Sequence, residues 1–408
     1  MTVWSNKNFL LLFFARFVAL IGDGMMFIVL LKKLEMLGAG SLGISFFYLS
    51  AGIPAFLFAI PAGAFVERSR LQKTMITTDL LRASLVLCFI YINVFIIESP
   101  FMIYTLLFLI TINDMFFLPA SQSLLRWVVP EKRRPEANGH LQIAMMTGKL
   151  LSYSLAALLI KMGFSLNALL MLVMLSFIFS IIFIFRIRPF VTNNNDQSVS
   201  TLKMAAEGLS FIKNTKIIKN LFIVFGLAWI VGSSIDIFLI AYLNEVLGKG
   251  TEDLYLITTF SLAGIIIGSF VAPKLYQSID KKIGFYLPSL IFGLVVLGYA
   301  LTLPLWMLLL LLMMGGVVQG IFLTFLNSYL QEVTSQTYYA RVSSFYTLLM
   351  KGASLPGYFL IGLFIEKTNV ITVGYIIGMY MVFVTIVTMI ILPSMKENDG
   401  QRVRNVNY

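Results

Sequence analysis

Apolar runs of about 20 residues recur along the whole chain, and each is long enough to cross the roughly 30 Å hydrocarbon core of a bilayer as a helix. Such runs leave few folds open. Within lipid every backbone N–H and C=O must be satisfied inside the segment, which for runs of this length means helix. Charge is correspondingly scarce: 12% of the 408 residues are charged and 59% are hydrophobic, against about 25% charged in soluble domains. The sequence therefore predicts an all-α polytopic membrane protein. The opening MTVWSNKNFLLLFFARFV shows no small-residue cleavage site after a short apolar core, so it reads as the first span rather than a removed signal.

Hydropathy places twelve spans near 8–31, 39–65, 75–97, 101–123, 140–160, 164–185, 217–240, 254–276, 285–303, 305–328, 344–365 and 371–392. An even number puts both termini on one side. Most of the 30 Lys and Arg fall in segments on the side of the N-terminus, and only Lys32, Lys33, Lys161, Lys249 and Lys367 fall in the opposite loops. That bias predicts both termini in the cytoplasm and a plasma-membrane location. The polar stretch from Thr192 divides six spans from six, and its latter part, TLKMAAEGLSFIKNTKIIKN, has the spacing of a helix lying on the inner membrane surface. The expected organisation is a bundle over 1–190, a linker with an amphipathic helix over 191–216, a second bundle over 217–395 and a cytoplasmic tail over 396–408.

The halves read as copies. Ala51-Gly52-Ile53 recurs as Ala263-Gly264-Ile265, Asp23 falls within one residue of alignment with Asp236 at the same spacing, and Thr147-Gly148-Lys149 resembles Lys351-Gly352. Parallel repeats of six spans are a transporter plan.

Six charges sit inside these spans: Arg16, Asp23, Asp114, Lys149, Asp236 and Lys351. An ionisable group in hydrocarbon costs at least about 2.5 kcal/mol, so such residues face a bundle interior or an aqueous path. Arg16 and Asp23 lie on one helix face about 10 Å apart along the axis. Asp114 follows Asn113. Carboxylates that alternate between dry and wet surroundings can carry protons; equally, buried ions can neutralise each other and fix helix register. Lys149 and Lys351 can snorkel to an interface instead.

Between spans 2 and 3 runs GAFVERSRLQK, followed by DLLR at the start of span 3. The first segment resembles the loop signature of the major facilitator superfamily: Gly63, Glu67 and Arg68 match by position, Arg70 stands where a second glycine is usual, and the basic pair is reduced to Lys73. Asp79 and Arg82, at i and i+3, share a face and can pair, as a helix-end ion pair or as part of a gate. NFLLLFFARFVALIGDG, GAFVERSRLQKTMITTDLLRA and FFLPASQSLLRWVVPEKRRPEANG are similar to the exporter branch that contains macrolide and siderophore or metallophore exporters. The resemblance implies two six-helix bundles with alternating access, a cytoplasmic charge network built on the loop motif, and a cavity in which Asp23 and Asp236 face each other with Asp114 nearby. Span 5 here, TGKLLSYSLAALLI, lacks the Gly-Pro pair of drug-antiporter members.

The same residues narrow the function classes. Cys88 is the single cysteine, inside an apolar run and expected to be buried, and the single histidine, His140, falls in a predicted loop, which leaves a zinc site almost without ligands. The pairs Gly148-Lys149 and Gly248-Lys249 lack the flanking residues of a phosphate loop, so ATP-driven pumping by this chain is not expected. No HExxH or intramembrane aspartyl signature supports an enzyme, and a scaffold or receptor would not need charges in spans of both halves. The net charge of +11 reads as membrane orientation rather than nucleic-acid binding. The expectation is a monomeric, proton-driven exporter of drug-like or amphipathic small molecules without a cofactor, with a siderophore or metallophore exporter, a lipid flippase or an importer of the same fold as alternatives.

Overall fold

The computed structural model describes residues 3–95, 98–130, 133–187, 212–334 and 336–392, and no strand occurs among them. The helices are α1 (Lys7–Met36), α2 (Gly40–Arg68), α3 (Leu71–Phe95), α4 (Pro100–Val128), α5 (Arg134–Lys161), α6 (Leu166–Phe185), α7 (Lys216–Gly232), α8 (Ile235–Glu245), α9 (Leu254–Ser278), α10 (Ile283–Tyr299), α11 (Leu305–Val333), α12 (Gln336–Lys367) and α13 (Val370–Ile391). Among the described residues eleven segments are long and apolar enough to cross a membrane, α7 and α8 together forming one of them, and the shorter α10 is apolar as well. This is an all-α polytopic membrane protein with the expected twelve crossings.

Several helices outrun the hydropathy windows. α12 starts at Gln336 with the polar turns QTYYARVS, well before the apolar run. Continuing a helix past the hydrocarbon edge satisfies backbone groups that an early end would leave bare. For the same reason Lys32 and Lys33, expected in an outer loop, occupy the last turns of α1, and Lys161 ends α5. His140, expected in a loop, stands inside α5 with its ring 4.8 Å from that of Trp4. Cys88, expected to be buried, is exposed on α3. The seventh span is broken at Ser233-Ser234, where the Ser234 hydroxyl donates to the Ile230 carbonyl (2.9 Å). Such back-bonding by serine competes with the helix ladder and bends it.

Contacts divide the chain into two compact units, Met1–Ser198 with Gly250–Tyr255, and Val199–Lys249 with Leu256–Tyr408. The expected amphipathic linker helix and the C-terminal tail lie largely outside the described residues. In the first unit α1 packs on α5 and α6, α3 on α4 and α6, and α2 on α4. In the second, α7 packs on α12 and α13, and α10 on α11 and α13, while glycines bring α9 and α11 together. The pairings follow the same order in both units, as a duplicated bundle requires. The residues Gly250–Tyr255 are held in the first unit by side chains: Lys32 Nζ lies 2.7 Å from Glu252, Thr251 N–H donates to Glu35 (2.8 Å), and Lys161 Nζ lies 2.7 Å from Asp253.

Small residues set the closest helix approach in the second unit. Gly264 and Gly268 on α9 face Gly316 and Gly320 on α11, and a Cβ built on Gly316 would stand 2.2 Å from the Ser261 carbonyl oxygen. Close backbone approach across such four-residue glycine spacing is a membrane packing device. By contrast, a Cβ on Gly63 would meet nothing within 4 Å, so the loop-motif glycine makes no close helix contact here. Gly316→Val is expected to lower the stability of the detergent-solubilised protein by about 1–3 kcal/mol through overpacking. Gly63→Ala is expected to raise it by about 0.5–1 kcal/mol, because it removes a glycine from a helix interior. Thermal melts of both variants check the pair; equal destabilisation would contradict this assignment of the two glycines.

Candidate functional site

α1 carries Asp23 between two glycines, and those glycines position it. A Cβ on Gly22 would collide with Ser176 Oγ of α6 at 1.9 Å, and one on Gly24 with Ser152 Oγ of α5 at 1.8 Å. The helix is thus seated directly on both neighbours, and the carboxylate between the glycines is held on a fixed line.

α3 supplies the cation. Its buried positions, Met75, Thr78, Asp79, Arg82, Ala83, Val86, Phe89 and Ile90, follow the i, i+3, i+4 pattern of one helix face. Asp79 and Arg82 therefore point inward together, with side chains 0% and 2% exposed. Arg82 lies about 16 Å along α3 from its first residue, near the middle of the helix. Asp23 and Asp114 also fall near the middles of α1 and α4.

The Arg82 guanidinium gathers three carboxylates. Nη1 lies 3.4 Å from Asp79 Oδ1 and 3.8 Å from Asp23 Oδ2, and Nη2 makes its closest contact with Asp114 Oδ1. Its planar fork suits several acceptors at once. The guanidinium also lies 4.7 Å from the Phe117 ring centroid and 5.5 Å from that of Phe177, so aromatic faces cover what the carboxylates leave open. Access is graded: the Asp23 and Asp114 side chains are 31% and 34% exposed, whereas Asp79 and Arg82 are sealed. Fully ionised, the group carries one positive and three negative charges in an apolar bundle, and Asp23 Oδ1 is buried without a hydrogen bond among the described residues.

The other candidates are placed as follows. Asn113, beside Asp114, donates to the Leu109 carbonyl of its own helix (2.9 Å). Arg16 is 6% exposed on α1, and its guanidinium donates to Met145 Sδ (3.8 Å). Among the described residues no carboxylate lies within ion-pair distance of it. Lys149 is exposed on α5 with Nζ 5.5 Å from the Tyr153 ring, and Lys351 is exposed at the corresponding place on α12. Asp236 is exposed in the first turn of α8, in the other unit from Asp23. In the loop motif, Arg70 and Lys73 are exposed, and the side chains of Glu67 and Arg68 lie outside the described residues. Asp79 and Arg82 are thus not a helix-end pair beside that motif but the centre of the buried group. Their periodicity within the α3 buried face is the signal that could have placed the pair inside the bundle rather than at a helix end.

The family model described as Major Facilitator Superfamily matches residues 12–358. The chain belongs to the Major Facilitator Superfamily. It is therefore a membrane transport protein of a family that moves solutes rather than transforming them. A similar superfamily member is the uncharacterized MFS-type transporter YvqJ of Bacillus subtilis (strain 168), 28% identical over 141 residues. That match spans 35% of this chain and 33% of the relative's length. Among solved structures, the nucleoside transporter NupG aligns with a TM-score of 0.74 at 16% identity, covering 94% of this chain and 98% of the other. A POT family transporter in complex with a thioalcohol conjugated peptide gives 0.75 at 13% identity, covering 94% and 95%, and a bacterial metal transporter gives 0.68 at 14%, covering 94% and 98%. At these identities the likeness is one of fold.

The two buried arginines separate electrostatic support from mere burial. Arg82→Met strips a buried cation from three carboxylates and is expected to cost about 3–5 kcal/mol. Arg16→Met removes a buried charge that no carboxylate faces and is expected to leave the melting temperature unchanged or raised. Melting curves at neutral pH decide; a destabilising Arg16→Met beside a neutral Arg82→Met would reverse the assignment.

Proposed function

We propose that this transporter is a proton-coupled exporter of amphipathic small molecules in the cytoplasmic membrane, with both termini inside and alternating access between its two bundles. The observation that carries the coupling is the Arg82 group: one cation among three carboxylates, two of them accessible and one sealed. A proton on Asp23 or Asp114 removes one unit of the excess negative charge, and its loss restores that charge. The two protonation states pull differently on Arg82 and hence on α1, α3 and α4, the helices that carry the group.

In this reading a proton from the acidic outer side loads Asp23 or Asp114, favours the return to the inward-open state and leaves to the cytoplasm when substrate is taken up. Asp79 keeps Arg82 anchored through the cycle, because its carboxylate has no route to water. Asp236 and the lysines Lys149 and Lys351 are accessible positions for contacts with substrate. The cytoplasmic charge network of Glu67, Arg68, Arg70 and Lys73 is the expected gate. Similarity to the macrolide and metallophore exporter branch supports export as the direction, and the wealth of Phe and Met, 36 and 21 residues, suits an amphipathic cargo. The nucleoside, peptide and metal transporters of the same fold leave the cargo to be fixed by the chain's own side chains.

The test uses proteoliposomes with an imposed pH gradient and an internal pH dye. Asp23→Asn and Asp114→Asn are expected to insert and melt like the parent yet lose gradient-driven efflux and substrate-linked proton movement by at least tenfold. Efflux in the parent is expected to rise as the outer side is acidified. Unchanged proton-linked efflux in both variants would sink the proposal.

A further inference from the structure

The first unit holds a second buried cation, and the Arg82 group makes no use of it. Arg16 of α1 is 6% exposed, and its one hydrogen bond among the described residues runs from Nη2 to Met145 Sδ (3.8 Å). A thioether is a weak acceptor, whereas a guanidinium presents five donors in a fixed fork. The next acidic residue of α1, Asp23, stands about 10 Å further along the axis and turns to Arg82. A buried charge is costly unless it is paired. Arg16 thus has donors to spare and, among the described residues, no anion to receive them. Arg82 Nε is sealed from solvent, but no nitrogen of Arg16 is both enclosed and unpartnered. Its small remaining exposure therefore lies at the charged end, where an incoming group can reach it.

The seam between α1 and α5 supplies the surroundings. A Cβ on Gly148 of α5 would meet Leu20 Cβ at 3.6 Å and Phe17 Cε2 at 3.7 Å. That contact sets two apolar side chains of α1 next to Arg16 and close to Met145, three residues before Gly148. Lys149 follows Met145 by one turn, about 6 Å along α5 and about 40° around it. It is exposed, with Nζ 5.5 Å from the Tyr153 ring. One cation at depth and one in the open call for a negative group, and the Phe, Leu and Met beside them call for an apolar body. Arg16 stands nine residues, about 14 Å, along α1 from Lys7, which favours a molecule that enters the bundle over a lipid headgroup at its edge.

We propose that Arg16, with Lys149 beside it, binds the carboxylate or sulfonate of an amphipathic organic anion, whose apolar part lies against Phe17, Leu20 and Met145. The fork of the guanidinium takes both oxygens of such a group at once. As the place where a transported molecule docks its charge, the site rests on the export reading; as an anion site it stands without it.

The probe is dansylglycine, an anionic amphipath, compared with its neutral amide. Each is titrated into the full chain in neutral detergent and followed by dansyl fluorescence. The parent is expected to bind the anion at least tenfold more tightly than the amide, the margin of a charge-assisted hydrogen bond. Arg16→Met is expected to bind the two alike while melting no lower than the parent, so the loss is not one of folding. Arg16→Lys keeps the charge without the fork and is expected to retain part of the preference. Lys149→Gln is expected to reduce it about two- to fivefold, the effect of an exposed ion pair. Octanoate is expected to displace the probe, and chloride and phosphatidylglycerol are not. No gradient enters the measurement, so a failure of proton-coupled efflux leaves this result standing, and coupled efflux does not rescue it. A parent without the preference, a preference kept in Arg16→Met, or displacement by chloride or phosphatidylglycerol as readily as by octanoate would overturn the proposal.

Discussion

One guanidinium held among three carboxylates in an apolar bundle is the interaction on which the first unit depends. Moving ions of this size out of water carries a penalty of several kcal/mol each, and mutual attraction repays it only with close geometry. The unit supplies that geometry from three helices. Gly22 and Gly24 seat α1 on α6 and α5 and so aim Asp23, the buried face of α3 presents Asp79 and Arg82 together, and α4 brings Asp114. Phe117 and Phe177 close over the cation. Around this one cation the carboxylates outnumber the positive charge, and that excess is what the proposed proton coupling uses.

The two units use the same packing order for different ends. In the first, close packing positions charge. In the second, the glycine stripes of α9 and α11 and the approach of Gly357 to Ile230 and Ser234 fit neighbouring helices around a broken span. A narrow cleft beside the break is lined by Trp229, Phe292, Gln319 and Phe322, and no charged residue lines it.

Much of this was legible in the sequence, for a physical reason. Span number follows from hydropathy, and Asp23 and Asp114 stand out because hydrocarbon penalises each charge separately. Asp79 and Arg82 stood out only as a helix-end or gating pair, since α3 begins with the polar run LQKTMITT and a hydropathy window reads charges near such a run as part of a helix entrance. Only the periodicity of the buried face separates them from it. Ser233-Ser234 carries no proline, so the break in the seventh span depends on serine back-bonding and on α12 lying close, neither of which is local. The anchoring of Gly250–Tyr255 by Lys32, Glu35 and Lys161 is likewise a tertiary property.

The proposed proton site is the Arg82 group and not another carboxylate. The most direct measurement is the infrared difference spectrum of the purified protein between acidic and neutral buffer, read in the band of the protonated carboxyl C=O. That band is expected in the parent and in Asp236→Asn, and expected to be diminished or displaced in Asp23→Asn and Asp114→Asn. A band that both of the latter variants leave intact, or that Asp236→Asn alone removes, would contradict the account.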